Sequence, residues 1–334
     1  MDTMQALQIT WFFLIGVLFI GYSVLDGFDL GLGSLLPFLA KDDKETASLL
    51  TAIGPFWDGN EVWLLTGGGA LFAAFPHVYA TVFSGFYLAL MLVLFALIFR
   101  AVSFEFWSLD SRRRAFWKWT FAIGSFLPSL LFGVALGNVI QGIPLDDKME
   151  FTGNFFTLLR PLPLSTGLLG LCAILLHGSM YAMMKTEGPV SERARNIGKK
   201  LWVAFAALLV VALAASALVY PDRMGSVPAW ISTAVVAIAV AVGLRQTARG
   251  AGLLPFIMSS IAFIGLWGIA ASLQFPALVR SAVDGIPHLS IYTTSSSQLT
   301  LTVMLIIALI GMPIVLGYTF YVYRIFRGKV TNQR

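Results

Sequence analysis

Nine apolar runs follow one another along the chain, and each approaches the length that an α-helix needs to cross a bilayer. A membrane-spanning helix needs about 20 mostly apolar residues. The runs cover residues 8–30 (with an apolar continuation to 39), 52–75, 78–99, 119–141, 164–184, 201–219, 227–244, 254–275 and 299–323. Polar residues interrupt the second run, and the seventh is short. The sequence therefore predicts an all-α polytopic membrane protein that forms a single integral membrane domain over residues 1–334.

Composition excludes several classes of function. Only 12% of the residues are charged and 58% are hydrophobic, whereas a soluble domain carries about 25% charged residues. The basic residues lie in short clusters between the apolar runs, so we expect no nucleic-acid partner. The N-terminus has no basic segment before its apolar run and no small-residue cleavage site, which predicts that the first run is a retained span.

The distribution of basic residues predicts the orientation. Cytoplasmic loops of membrane proteins carry an excess of lysine and arginine. With nine spans and a cytoplasmic C-terminus, 18 of the 22 basic residues fall on cytoplasmic segments, Arg100 among them. The other side holds Lys148, Arg160, Arg223 and Arg280. An alternative with eight spans, which omits the second run, separates the charges less well.

Five acidic residues lie within or next to the apolar runs. Asp26 and Asp29 are one helical turn apart in the first run, and Asp58 and Glu61 are one turn apart in the second. Glu105 follows the third run. Residues three or four apart lie on one face of a helix, so each pair can point at one internal cavity. Acids inside a membrane are candidate functional residues, because an ionised carboxylate is costly in hydrocarbon.

The pair in the second run has no cation nearby in sequence. No lysine or arginine occurs from residue 45 to residue 99. Asp58 and Glu61 must therefore be protonated, hydrated, or paired with a base from a distant helix or another chain. One interpretation is structural, with the acids near helix ends at headgroup level and Pro55 in a first helical turn. The other is a proton path, in which Asn60 and the acids hold a short chain of water molecules.

Residues suited to a metal site or a catalytic centre do not stand together in the sequence. His77 and His288 lie in predicted outer loops, and His177, in the fifth run, is interpreted as a core residue. The single cysteine, Cys172, lies in an apolar run and excludes an internal disulfide. We therefore expect no metal site and no catalytic residue in this chain. Any redox chemistry that a proton path serves would belong to a partner chain.

Small residues predict close helix packing. The motifs "GFDLGLG" (residues 27–33) and "GGGA" (residues 67–70) have the small-residue spacing that lets helix backbones approach in membranes. The stretch "TTSSSQLTL" before the last run is typical of a helix N-cap.

Motifs along nearly the whole chain resemble those of one family. In order they are "GFDLGLG", "PFWDGNEVWLLTGGGALFAAFPHVYATVFSGFY", "LIFRAVSFEF", "GSFLPSLLFGVALGNVIQGIP", "TGNFF" and "SSSQLTL". They resemble the motifs of subunit II of cytochrome bd-type quinol oxidases, and the block from Pro55 to Tyr87 is the most specific. The short later loops are similar to those of the compact branch of the family, some members of which are cyanide-insensitive.

The resemblance implies a fold and a division of labour. We expect two four-helix bundles plus one peripheral helix in a bacterial inner membrane, with a periplasmic N-terminus. The implied partner, subunit I, ligates three haems (haems b and d, or three haems b) and oxidises quinol, and the complex reduces oxygen to water with cytoplasmic protons. This chain would ligate no haem and would not be catalytic alone. Membrane lipid or quinone and a small single-helix accessory subunit are further expected partners.

The resemblance also assigns roles to residues. Asp58 matches the aspartate of the family's proton route, and Glu105 stands where members often have aspartate. Asp29 matches the acid of the "GFD" motif, and Trp63 matches a tryptophan near an oxygen path. The predicted proton path consists of Asp58, Glu105, Asp29 and Glu61. The predicted polar cluster beside it consists of Trp57, Asn60 and Trp63.

Two alternatives stay open. A secondary transporter also uses intramembrane acids and glycine-interrupted helices. A purely structural scaffold would use the acids as interfacial caps. Under the oxidase interpretation, placement at the interface with subunit I explains why the acids of the second run need no basic partner from this chain.

Overall fold

Helices account for most of the chain. A computed structural model describes residues 2–330, except for the side chain of Asp222. The helices are α1 (Thr3–Leu25), α2 (Gly27–Leu39), α3 (Asp43–Ile53), α4 (Trp57–Ala74), α5 (Pro76–Gly85), α6 (Tyr87–Leu109), α7 (Arg114–Gln141), α8 (Pro161–Lys185), α9 (Gly188–Val219), α10 (Pro221–Met224), α11 (Val227–Ala248), α12 (Leu253–Gln274) and α13 (Gln298–Ile325). A 3₁₀ turn (Phe155–Leu158) precedes α8, and the antiparallel strands β1 (Ala277–Val279) and β2 (Leu289–Ser290) follow α12.

Eight stretches within the described residues are long and apolar enough to cross a membrane. They are α1 and α2 taken together, and α6, α7, α8, α9, α11, α12 and α13. The remaining predicted span corresponds to α4, whose 18 residues extend about 27 Å. The polar first turn of α4 and its glycines make it less apolar than the other eight. The prediction of an all-α polytopic membrane protein is confirmed.

The first two predicted spans have different bounds in the structure. The first helix begins at Thr3 and is interrupted at Asp26, where α1 gives way to α2. The second predicted helix begins only at Trp57, five residues later than expected from the sequence. Residues 54–56 form a turn that contains Pro55, and a proline has no backbone N–H to donate within a helix.

The third predicted span is also interrupted, and it extends further than expected. Phe86 separates α5 from α6, and α6 continues ten residues beyond Phe99 to Leu109. The helix continues because no glycine or proline follows Phe99 before α6 ends. Arg100 and Glu105 therefore lie within a helix and not in a loop.

The glycine motifs behave differently from each other. A Cβ on Gly31 would overlap the backbone carbonyl of Ile174, and a Cβ on Gly178 would overlap the backbone of Gly31. The backbones of α2 and α8 are thus in direct contact, as "GFDLGLG" predicts. Gly68 and Gly69 of "GGGA", in contrast, meet no atom of another element within 4 Å. Within the described part of this chain these two glycines pack against no other helix and lie on an open side of α4, so close packing at them stays a prediction.

The helices pack as one closed group and one open group. In the closed group, α8 packs on α9, α9 on α11, α11 on α12, and α12 on α8. In the open group, α4 lies on α1, and α6 lies on α7, which also contacts α2. The helices α4 and α6 have few direct contacts with each other. Buried side chains rather than helix packing therefore hold α4 and α6 together.

The last helix, α13, lies at the edge of the molecule. Leu301 is its buried residue, and most of its apolar side chains are exposed. Ser297 caps its N-terminus by accepting a hydrogen bond from the Thr300 backbone N–H, as the serine-rich motif predicts. Near its other end, Tyr323 stacks on Phe56 with 4.4 Å between ring centroids. A stripe of partly buried residues between these ends, which includes Met304, Ala308 and Met312, also packs against the core.

Glu45 joins the segment between α2 and α3 to α9. Its Oε2 atom accepts hydrogen bonds from Arg193 Nη2 (2.5 Å) and from the Lys41 backbone N–H (2.7 Å). Burial raises the pKa of the Glu45 carboxyl, but the hydrogen bonds and the charge of Arg193 outweigh burial and hold this pKa below its ordinary value. The ion pair therefore persists into mildly acidic solution.

Removal of the Glu45 carboxylate should give a pH-dependent loss of stability. A carboxyl whose pKa is lowered by folding stabilises the native state above its ordinary pKa, and this contribution is lost as the pH falls through the lowered value. We expect Glu45→Gln to destabilise the protein by about 0.5–1 kcal/mol at neutral pH, which is typical of partly exposed ion pairs. Thermal unfolding of both proteins across a pH series measures the difference, with exposed Glu192→Gln as control. A difference that stays constant into acid would contradict the assignment.

Candidate functional site

A fully buried arginine joins three helical segments. Arg100 on α6 donates from Nη2 to Asp26 Oδ1 (3.2 Å) and from Nη1 to Glu61 Oε1 on α4 (2.5 Å). The side chains of Arg100 and Asp26 are fully buried, whereas 27% of the Glu61 side chain is exposed. Buried charges are stable only when they are paired and hydrogen-bonded. Arg100 is therefore the counter-ion of both carboxylates.

This pairing corrects two predictions. Asp26 of the first span and Glu61 of the second do have a basic partner in this chain, although it lies 39 residues from Glu61 and 74 residues from Asp26. Arg100 also does not belong with the surface charges that predict the orientation, because it is buried in α6. Its position in "LIFRAVSF", with apolar residues on both sides, is the sequence signal for a buried cation.

The start of α2 places Asp26 next to Arg100 and Asp29 one turn further along. The Asp26 backbone N–H donates to the Tyr22 carbonyl, and the Asp26 carbonyl accepts from the Leu30 N–H. The helical path is thus almost continuous across the α1–α2 interruption, and the side chains of Asp26 and Asp29 stay one turn apart. Contact with α8 at Gly31 fixes α2 in the interior, where both acids are fully buried.

Asp29 lies in the same cluster but has a neutral partner. Asn60 Nδ2 donates to Asp29 Oδ2 (2.7 Å) and to the carbonyl oxygen of Leu25 (2.9 Å). The hydroxyl of Tyr323, from the end of α13, lies 3.5 Å from the same Nδ2 atom. The structure thus brings together Asp29, Asn60 and Glu61 from the predicted set, and it adds Asp26 and Arg100.

Aromatic rings surround the guanidinium. The rings of Trp57 and Phe121 have their centroids 5.8 and 6.0 Å from Arg100 Cζ, a distance at which cation–π attraction operates. Trp63, six residues after Trp57 on α4, is buried against Gly21 of α1, where a Cβ would overlap its indole. Trp57 therefore borders the charged cluster, whereas Trp63 serves helix packing, and an oxygen path beside it stays a prediction.

The other two predicted acids lie outside the cluster. Asp58 and Glu105 are exposed, and no side-chain hydrogen bond or ion pair of either is present within residues 2–330. Exposed apolar residues lie one or two turns from them on the same helices: Val62, Leu65, Val102 and Leu109. We call these six residues the α4–α6 face. An acid on an apolar face is poorly suited to contact lipid chains.

Two of the three histidine side chains make hydrogen bonds within the described part of the chain. His177 is fully buried, with Nδ1 2.7 Å from Ser259 Oγ and Nε2 2.9 Å from the Val24 carbonyl oxygen. His288 Nδ1 accepts a hydrogen bond from the Ser281 backbone N–H. Over residues 2–330, no group of three or more His, Cys, Asp or Glu side chains could hold a metal ion. The described side chains therefore form no cluster suited to binding a metal ion.

The fold and the site define a class of protein, namely an all-α polytopic membrane protein with a buried arginine–carboxylate cluster and acids on an exposed apolar face. Residues 7–326 match the family described as cytochrome bd terminal oxidase subunit II. The chain is 36% identical over 367 aligned residues to the Cytochrome bd-I ubiquinol oxidase subunit 2 of Escherichia coli K12, covering 98% of this chain and 96% of the relative. It is 33% identical to the Cytochrome bd ubiquinol oxidase subunit 2 of Bacillus subtilis, covering 99% and 98%.

A solved structure has the same fold. The bd oxidase from Geobacillus thermodenitrificans superposes with a TM-score of 0.81 at 14% identity, covering 96% of this chain and 98% of the matched chain. The chain belongs to the cytochrome bd terminal oxidase subunit II family. It is thus a multi-pass inner-membrane subunit of a bd-type terminal oxidase, an oxidoreductase complex. The family implies that a partner, subunit I, carries the haems.

Proposed function

We propose that this chain is the second subunit of a ubiquinol oxidase, in which it supports the haem-bearing subunit I and carries protons from the cytoplasm toward the haems. Two relatives with about a third of their residues identical are named as ubiquinol oxidase subunits. The observation that carries the proposal is the α4–α6 face, where Asp58 and Glu105 lie among exposed apolar side chains and make no ion pair within residues 2–330. The complex would oxidise quinol and reduce oxygen to water.

The α4–α6 face is the proposed docking surface for subunit I. Exposed apolar side chains suit either lipid or a partner, but acids among them favour a partner that supplies polar groups or water. The two helices have few contacts with each other, and Gly68 and Gly69 leave α4 open on one side. A partner helix can approach α4 closely at these glycines.

The proposed proton path runs from the α4–α6 face to the buried cluster. Asp58 and Glu61 are one turn apart on α4, and the partly exposed Glu61 also contacts Arg100 in the interior. Glu61 thus connects the exposed acids with Asp26 and, through the cluster, with Asp29. Asn60 holds Asp29, and Trp57 borders the guanidinium. The excess of basic residues at one end of the helices supports a cytoplasmic C-terminus and proton entry from that side.

The haems belong to subunit I in this proposal. We assign no haem ligand to this chain, because the family implies that the haems are held by the partner. The third haem is proposed to be haem d or haem b, and an absorption spectrum separates the two, because haem d gives a red-shifted chlorin band. A single-helix accessory subunit and a bound lipid or quinone complete the proposed set of partners.

Purification tests the proposed function. An affinity tag on this chain should recover a complex with a haem-rich second polypeptide, and the complex should consume oxygen when given a ubiquinol. The chain expressed without subunit I should contain no haem and show no oxygen consumption. A secondary transporter would be active alone in vesicles and would recover no haem, and that result would overturn the proposal.

A further inference from the structure

Three carboxylates and one guanidinium meet in the buried cluster. Asp26, Asp29 and Glu61 would carry three negative charges when ionised, and Arg100 supplies one positive charge. Within residues 2–330 no other lysine, arginine or histidine lies within 4.0 Å of these acids. The other titratable groups around the cluster are Asp58, one turn from Glu61 on α4 and exposed, and three tyrosines that are neutral at physiological pH: Tyr22 on α1, Tyr181 on α8 and Tyr323 on α13. The cluster is therefore short of positive charge.

Geometry separates the three acids. Asp26 and Glu61 each contact the guanidinium, and the Glu61 side chain is also partly exposed. Asp29 neither contacts the guanidinium nor reaches solvent. Within residues 2–330 its Oδ2 accepts a hydrogen bond from the Asn60 amide, and its side chain is fully buried. An ionised carboxylate without a cation or water is strongly disfavoured in a low-dielectric interior. Asp29 is the acid whose negative charge is least compensated.

Three buried polar atoms in or beside the cluster have no hydrogen-bond partner within residues 2–330. They are Asp29 Oδ1, Asp26 Oδ2 and the Tyr22 hydroxyl. Buried polar atoms are nearly always hydrogen-bonded, to protein or to internal water. A proton on Asp29 Oδ1 converts one acceptor into a donor, and an internal water between Asp29 Oδ1 and Asp26 Oδ2 would satisfy both oxygens.

We infer that Asp29 is a neutral carboxylic acid in the resting protein. Its O–H group donates a hydrogen bond to an internal water, which in turn donates to Asp26. Asp29 thus acts as a proton store beside the Arg100 ion pairs. The role of this store in oxygen reduction rests on the proposed function, whereas its protonation does not. Asp29 is thus a proton-holding residue and touches no substrate.

Infrared spectroscopy of the whole purified complex at neutral pH tests the inference. We expect the wild-type minus Asp29→Asn difference spectrum to contain the carbonyl stretch of a protonated carboxylic acid, which shifts to lower frequency in heavy water. The matched control is exposed Asp43→Asn, whose difference spectrum should contain carboxylate bands and the amide bands of the new asparagine but no acid band. Carboxylate bands without an acid band in the Asp29→Asn difference would overturn the inference.

A second variant and a second measurement complement the infrared experiment. If Asp29→Asn does not assemble, Asn60→Ala removes the hydrogen bond to Asp29 Oδ2, and the acid band should then move to higher frequency. An acid region that is unchanged in Asn60→Ala would contradict the inference. Oxygen consumption separates the two proposals: an acid band with unchanged turnover in Asp29→Asn supports protonation but removes Asp29 from the proton path.

Discussion

Asp58→Asn should lower quinol-dependent oxygen consumption of the assembled complex by about a hundredfold, the low end of the effect of removing an acid–base group. Asparagine is nearly the same size as aspartate but cannot take up and release a proton. Asp58 is exposed on the α4–α6 face and makes no ion pair within the described part of the chain, so the change should leave folding intact. Oxygen electrode measurements, normalised to haem content from the absorption spectrum, give the result.

Two other acids sharpen the Asp58 experiment. Glu105→Gln, on the same face, should cause a smaller loss of the same kind. Asp147→Asn is the matched control, because Asp147 is exposed in the segment between α7 and α8, outside α4 and α6. Unchanged oxygen consumption in Asp58→Asn would remove Asp58 from the path. It would favour the scaffold alternative, in which the acids only cap an interface.

Arg100→Gln should strongly reduce the amount of assembled complex. Loss of one member of a buried ion pair costs about 3–5 kcal/mol, because the remaining charge stays buried without a partner. Here two carboxylates, Asp26 and Glu61, lose their counter-ion, and the link between α4 and α6 is lost with it. The yield of haem-containing complex after affinity purification measures the effect.

Compensating changes distinguish charge from packing at Arg100. Arg100→Gln combined with Asp26→Asn and Glu61→Gln removes all the unpaired charge and should recover much of the assembly. The Arg100→Lys variant should give a lower yield of assembled complex than wild type. One ammonium group cannot donate to two carboxylates with the geometry of a guanidinium. Arg114→Gln, which breaks the exposed pair with Asp43, is the surface control. Normal assembly of Arg100→Gln alone would contradict the assigned role.

Hydrophobic length and helix signals made much of the fold predictable. Apolar runs form spanning helices because a bilayer tolerates no unpaired backbone groups. Eight of the predicted spans correspond to helical stretches that are long and apolar enough to cross a membrane. Helix ends were harder to predict. Pro55 was expected within a helix but lies in the turn before one, and α6 continues to Leu109 where the fall in hydropathy after Phe99 suggested a loop.

The candidate site was only partly predictable, since its contacts link residues far apart in sequence. Helical spacing correctly indicated that Asp26 and Asp29 lie one turn apart and face the interior. Spacing could not show that Arg100, on another helix, would pair with Asp26 and Glu61. It also could not separate Asp58 from Glu61, which share a helical face although one is exposed and the other contacts a buried cation.

Proton uptake during oxygen reduction tests the central claim most directly. The fully reduced complex is mixed with oxygen in the presence of a pH-sensitive dye, and uptake is followed together with haem oxidation in wild type and Asp58→Asn. We expect proton uptake and the proton-dependent phase of haem oxidation to slow together in the variant, while oxygen binding stays as fast as in wild type. Proton uptake at the wild-type rate in an Asp58→Asn complex with full haem content would contradict the claim that this chain carries the protons.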